Sequence, residues 1–78
     1  MKRKYYLTYS KELVKEPFIY QVGIKFKVKT NIRQASISEE LGIVALELEG
    51  DSGEIEKAVQ FFVENGVKVE PIELGVIE

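Results

Sequence analysis

The sequence predicts an α+β fold in which four strands and two helices follow one another as β-α-β-β-α-β. Three observations carry that prediction. Lys4–Ser10 and Gly42–Glu49 alternate apolar and polar residues with the period of a half-buried strand. Two segments, one after each of these strands, instead space their apolar residues at three and four, the helical period. Between the first helical segment and the second alternating strand, Thr30–Gly50 reads as a hairpin with unequal arms.

In Lys4–Ser10, Tyr5, Leu7 and Tyr9 share one face and Tyr6 and Thr8 the other. Leu7 marks its set as the core side, with the two tyrosine rings at the core margin and their hydroxyls reaching water. Lys11–Glu16 turns the chain, and Pro17 suits a first helical turn. The helix then runs to about Phe26 on a stripe of Phe18, Ile19, Val22 and Phe26, with Gly23 expected where helix and sheet come close. Val28–Ile37 is an irregular strand. Ile32 and Ile37 are five apart, an odd spacing that puts them on opposite faces unless a bulge near Gln34-Ala35 restores them to one side. After a turn at Ser38–Glu40, Gly42–Glu49 sets Val44, Leu46 and Leu48 against Ile43, Ala45, Glu47 and Glu49. Asp51 (or Ser52) with Glu54 resembles a capping box for a helix buried through Ile55, Ala58, Val59 and Phe62, and Asn65-Gly66 stops it. Val67–Glu70 is the last strand, ended by Pro71. Ile72–Glu78 is too apolar for a free tail and is expected along a sheet edge or a partner subunit.

This order is the ferredoxin-like split βαβ pattern, and right-handed crossovers place its strands 4-1-3-2 in an antiparallel sheet with both helices on one face. The expected core is Tyr5, Leu7, Tyr9, Ile19, Val22, Phe26, Val44, Leu46, Leu48, Ile55, Val59, Phe62, Val67 and Val69. The other face has no helix to cover it, and its middle, Tyr6 with Ile43 and Ala45, is apolar enough to form an interface. Chain size points the same way. A single core in 78 residues supplies only about 3–5 kcal/mol. Without cysteine or histidine there is no disulfide or ordinary zinc site to add to it. A homodimer is therefore expected.

Charge is divided unevenly. Residues 1–34 hold nine basic and two acidic side chains, and residues 35–78 hold two and eleven, so +7 and −9 sum to the net −2. A basic half suggests nucleic acid, but interleaving of the halves in the fold neutralises it. The third strand would also offer RNA Ile43, Ala45 and Glu47, with neither an aromatic to stack on nor a positive charge. No nucleic-acid partner is expected, nor an enzyme. Histidine is absent, and Gly50-Asp51-Ser52-Gly53 lacks the lysine and spacing of a phosphate loop. Glu39, Glu40, Glu47 and Glu49 read as a solvated face. Met1-Lys2-Arg3-Lys4 leads into a strand and not an apolar run, and no stretch reaches membrane-span length, so a soluble cytoplasmic chain without direct membrane insertion is expected. No metal or cofactor is expected.

Glu16-Pro17, Phe26-Lys27-Val28, Thr30-Asn31-Ile32, Gly42, Leu46–Gly50 and Gly66–Glu70, in this order, resemble the NIL domain over about residues 4–72, leaving 73–78 as an apolar tail of a single domain, 1–78. That family is known at the C-terminus of methionine-importer ATPase subunits and ahead of ferredoxin modules in sulfur metabolism. The resemblance implies a regulatory module that pairs with its twin and binds methionine near the pairing. The motif asparagine and the apolar position six residues later fall on Asn31 and Ile37. The family's Asn-Ile-Leu reads Asn31-Ile32-Arg33 here, closer to the ferredoxin-linked branch. The ligand-binding candidates are thus Asn31, Ile32, Arg33 and Ile37, and the interface candidates Tyr6, Ile43 and Ala45. Asn31 either grips an amino acid's charged groups or satisfies backbone. Arg33 either pairs with a ligand carboxylate or meets Glu47 or Glu49 across the hairpin as an exposed pair. With neither ferredoxin cysteines nor an ATPase portion, the chain is expected to sense a small amino acid as a homodimer. The alternative is assembly with an iron–sulfur, sulfur-metabolism or transporter protein without a small ligand.

Overall fold

The computed structural model describes residues 1–72. The elements are β1 (Lys2–Ser10), α1 (Phe18–Lys25), β2 (Val28–Ile37), β3 (Leu41–Gly50), α2 (Ser52–Glu64) and β4 (Lys68–Pro71). The sheet runs β2-β3-β1-β4, which read from the other edge is the expected 4-1-3-2, and every neighbouring pair is antiparallel. The expectation for residues 73–78 lies outside the described residues. Ile72 does donate its backbone N–H to Lys4 O at 2.9 Å, one step beyond β4. Pro71 is the last residue of β4, which begins at Lys68, one residue later than expected. It lies opposite Tyr5 on an edge strand, where a missing N–H is tolerated.

Alternation sets the core as expected. Tyr5, Leu7 and Tyr9 of β1 and Val44, Leu46 and Leu48 of β3 are buried against Phe18 and Val22 of α1 and Ile55, Ala58 and Phe62 of α2. The Tyr9 ring packs 6.1 Å from that of Phe18, and its hydroxyl is shut off from solvent instead of reaching water. Phe18, Val28 and Ala58 join the core. Ile19, Phe26, Val59 and Val69 only pack partly buried at its margin. The cause in α1 is that Phe18 and Val22, four apart, take the inward line. Ile19 is rotated to the flank, and Phe26 has already left the helix in extended backbone. The same rotation corrects the role of Gly23. A Cβ there meets nothing within 4 Å, so it faces open space and makes no close approach.

Backbone chemistry at three junctions fixes how the elements meet. Gly50 is where β3 passes the start of β2, and a Cβ there would lie 2.7 Å from Lys27 O. No side-chain cap bonds Asp51, so the capping box does not form. Glu54 Oε1 instead accepts the Lys27 N–H at 2.9 Å, joining the first turn of α2 to the chain entering β2. That bond, with Lys57 beside it, lowers the Glu54 pKa. The end of α2 is a Schellman turn, with Val67 N–H donating to Phe62 O and Gly66 N–H to Val63 O, each at 3.0 Å. Gly66 carries the left-handed backbone this needs, φ +91, and its Cβ position is 3.3 Å from Leu13 Cδ1. Gly66→Ala is expected to cost about 1–2 kcal/mol, read as a lower urea midpoint; an unchanged midpoint would mean the turn tolerates a side chain.

Candidate functional site

Everything on the helix-free side of the sheet follows from register. Asn31 of β2 and Lys4 of β1 lie on either side of Glu47, Gln34 and Tyr6 on either side of Ala45, and Ser36 and Thr8 on either side of Ile43. The register slips between Ile32 and Gln34, making Arg33 the extra residue of a bulge. Without it Asn31 and Ile37, six apart, would share a face. With it, Ile32 pairs with Leu46 and Ile37 with Gly42 on the helix side, while Asn31 stays opposite Glu47 on the bare side. The bulge therefore brings the two isoleucines to one side, as its expectation near Gln34-Ala35 allowed, and divides the four ligand candidates into two pairs. Asn31 lies on the bare face, where the Arg33 guanidinium also reaches Glu47. Ile32 and Ile37 are exposed at the outer edge of β2, beside α1.

Glu47 corrects the expectation of a solvated carboxylate. It is 8% exposed, the one buried charged side chain among the described residues. Arg33 Nη1 lies 3.4 Å from Glu47 Oε1 and Lys2 Nζ 3.9 Å from Oε2, so the two oxygens face two different cations. Arg33 is half exposed, making this a part-buried pair and not the wholly exposed one expected. The physical reason is that long side chains from both neighbouring strands flank the short β3 carboxylate and cover it. A carboxylate in this position is tolerable only while it keeps such partners.

Next to this charged cluster is a groove of about 220 Å³ lined by Tyr6, Gln34, Ala35, Ser36, Ile43 and Ala45. All three interface candidates border it, but they are not equally available. Tyr6 is 43% and Ile43 40% exposed, whereas Ala45 is buried at 8% between its taller neighbours. Ala45 thus floors the groove and does not project from it. Gln34 and Ser36 were not legible as lining residues, because only the bulge gives them this phase. Among the described residues no cluster of three or more acidic, histidine or cysteine side chains could hold a metal ion, and no helix is long and apolar enough to cross a membrane.

Comparison with known proteins sets these features in a family. The chain is 29% identical over 76 residues to the methionine import ATP-binding protein MetN 1 of Bacillus licheniformis. The alignment takes in 92% of this chain but 23% of that protein, so the chain spans about a quarter of the relative's length. The crystal structure of the C-terminal domain of an ABC transporter ATP-binding protein from Enterococcus faecalis superposes with a TM-score of 0.81, covering 92% of this chain and 84% of that one. At 22% identity that likeness is one of fold. The NIL domain model matches residues 3–71, a span that takes in both helices and the four-stranded sheet, and the chain therefore belongs to the NIL domain family.

Proposed function

We propose that the chain is a regulatory module that binds a small amino acid, methionine or a related sulfur amino acid, on the bare sheet face, where a second copy covers it. The observation that carries this reading is Glu47, a nearly buried carboxylate between cations at the end of an apolar groove. A free amino acid presents an ammonium, a carboxylate and a side chain within a few ångströms. Glu47 suits the ammonium, Arg33 and the Asn31 amide suit the carboxylate, and the groove beside Ala45 suits an unbranched apolar side chain. Tyr6 and Ile43, exposed at the centre of the face, are the contacts a second copy would bury. The relative that carries this domain is named for methionine import, and an importer ATPase is the transporter partner we associate with the module.

Calorimetric titration with methionine, homocysteine and leucine tests the reading. Saturable binding of the sulfur amino acids is expected, weakened about tenfold by Asn31→Ala with the unfolding midpoint kept, because Asn31 is exposed. Sedimentation is expected to give a dimer. One observation favours a second reading: Arg33 and Glu47 already pair with each other, as they would on a surface shaped for a protein partner such as an iron–sulfur or sulfur-metabolism enzyme. Absence of any amino-acid binding, together with recovery in a complex with such an enzyme, would select that reading.

A further inference from the structure

We propose that Lys2 is a built-in competitor of the ligand: its ammonium holds the Glu47 oxygen that the amino acid's ammonium takes, and binding moves it to Glu49. This rests on the amino-acid site proposed above and adds the residue that sets how tightly that site binds.

The two Glu47 oxygens are held differently. Arg33 Nη1 lies 3.4 Å from Oε1, within hydrogen-bonding reach, whereas Lys2 Nζ stands off at 3.9 Å from Oε2. The Lys2 side chain is 63% exposed, so water competes for its ammonium and the contact is weak. A primary ammonium is also what a free amino acid presents. Seated at the ordinary distance of about 2.7–2.9 Å, it displaces one that stands off at 3.9 Å. Glu47 then keeps a cation at each oxygen, as its burial requires.

Lys2 also has somewhere to go. The place directly across from Glu47 belongs to Lys4, and Lys2 faces Glu49. Gly50 N–H donates to Met1 O at 2.9 Å. Lys2–Glu49 is therefore the adjacent non-hydrogen-bonded pair, the kind in which facing side chains stand closest. Glu49 is half-buried, and among the described residues it has no ion-pair partner. The Gly50–Met1 bond pins the start of β1, so the Lys2 side chain turns while the strand stays.

Calorimetric titration of methionine, and of methioninol, which lacks the carboxylate, into the parent chain, Lys2→Met and Lys4→Met tests the proposal. Lys2→Met keeps a long apolar stem and removes the ammonium at an exposed position, so the unfolding midpoint should hold. It is expected to tighten both ligands about two- to fivefold, what release of an exposed ion pair is worth. Lys4→Met, the control for net charge, is expected to leave both within about twofold. Glu49→Gln is expected to weaken methionine about twofold in the parent and to change nothing in Lys2→Met, since the two residues act as a pair. Methionine binding unchanged or weakened by Lys2→Met, or an equal gain in Lys4→Met, would overturn the competitor and leave the amino-acid site standing. A Glu49→Gln effect independent of Lys2 would overturn the move to Glu49. No methionine binding by the parent or any variant would overturn both site and competitor.

Discussion

Phe62→Ala is expected to remove about 3–5 kcal/mol of stability and to leave no cooperative urea transition. Phe62 is fully buried on α2, the largest such side chain in the core, and its ring meets that of Phe61 at 6.5 Å. Its carbonyl also accepts the Val67 N–H that closes the helix. Truncation opens a cavity in the close-packed core that also holds Leu7, Leu46 and Ile55. The loss matches the entire net stability of about 3–5 kcal/mol that a core of this size supplies. Phe61→Ala is the control. That ring is only partly buried and packs among Phe18, Phe26 and Phe62 on the helical layer. It should cost less than half as much and keep a measurable transition. Equal effects of the two substitutions would place the core elsewhere.

The difference between Phe62 and Phe61 also shows how far the fold was legible. Strict alternation in β1 and β3 named six sheet residues, Tyr5, Leu7, Tyr9, Val44, Leu46 and Leu48, and all six are buried. Period-two signals survive because a strand has only two faces. A helix has no such binary choice. Around α1, with few polar residues to mark an outside, the sequence could not separate Phe18 from Ile19 or show that Gly23 faces outward. The odd spacing of Ile32 and Ile37 did announce an irregularity, and the bulge is there. Its position, one residue from where it was sought, decides the phase of everything after it. Asn31 and Ile37 were thereby parted, and Gln34 and Ser36 were brought to the groove. Burial of Glu47 was illegible for a related reason. It depends on side chains of Arg33 and Lys2, fourteen or more positions away in the chain, closing over a strand position that reads as exposed.

Glu47 is also where the proposed chemistry and the stability of the face separate most widely. Glu47→Leu keeps the side-chain volume close and removes the desolvation cost of a buried carboxylate. Arg33 and Lys2, each more than half exposed, are left to water and not stranded in the interior. The fold is therefore expected to survive with its unfolding midpoint nearly unchanged. Methionine binding is not: loss of the carboxylate facing the ammonium is expected to weaken it at least about 30-fold. Self-association should respond in the opposite sense. Leucine extends the apolar patch of Tyr6 and Ile43 along the face, so a sheet-face dimer should tighten as the ligand is lost. Calorimetry and sedimentation on the same variant thus give two readings of opposite sign. Methionine affinity left intact by Glu47→Leu would move the ammonium site off this face. A dimer that weakens would mean that copies meet through the charges of Lys2, Arg33 and Glu47 and not through the apolar centre.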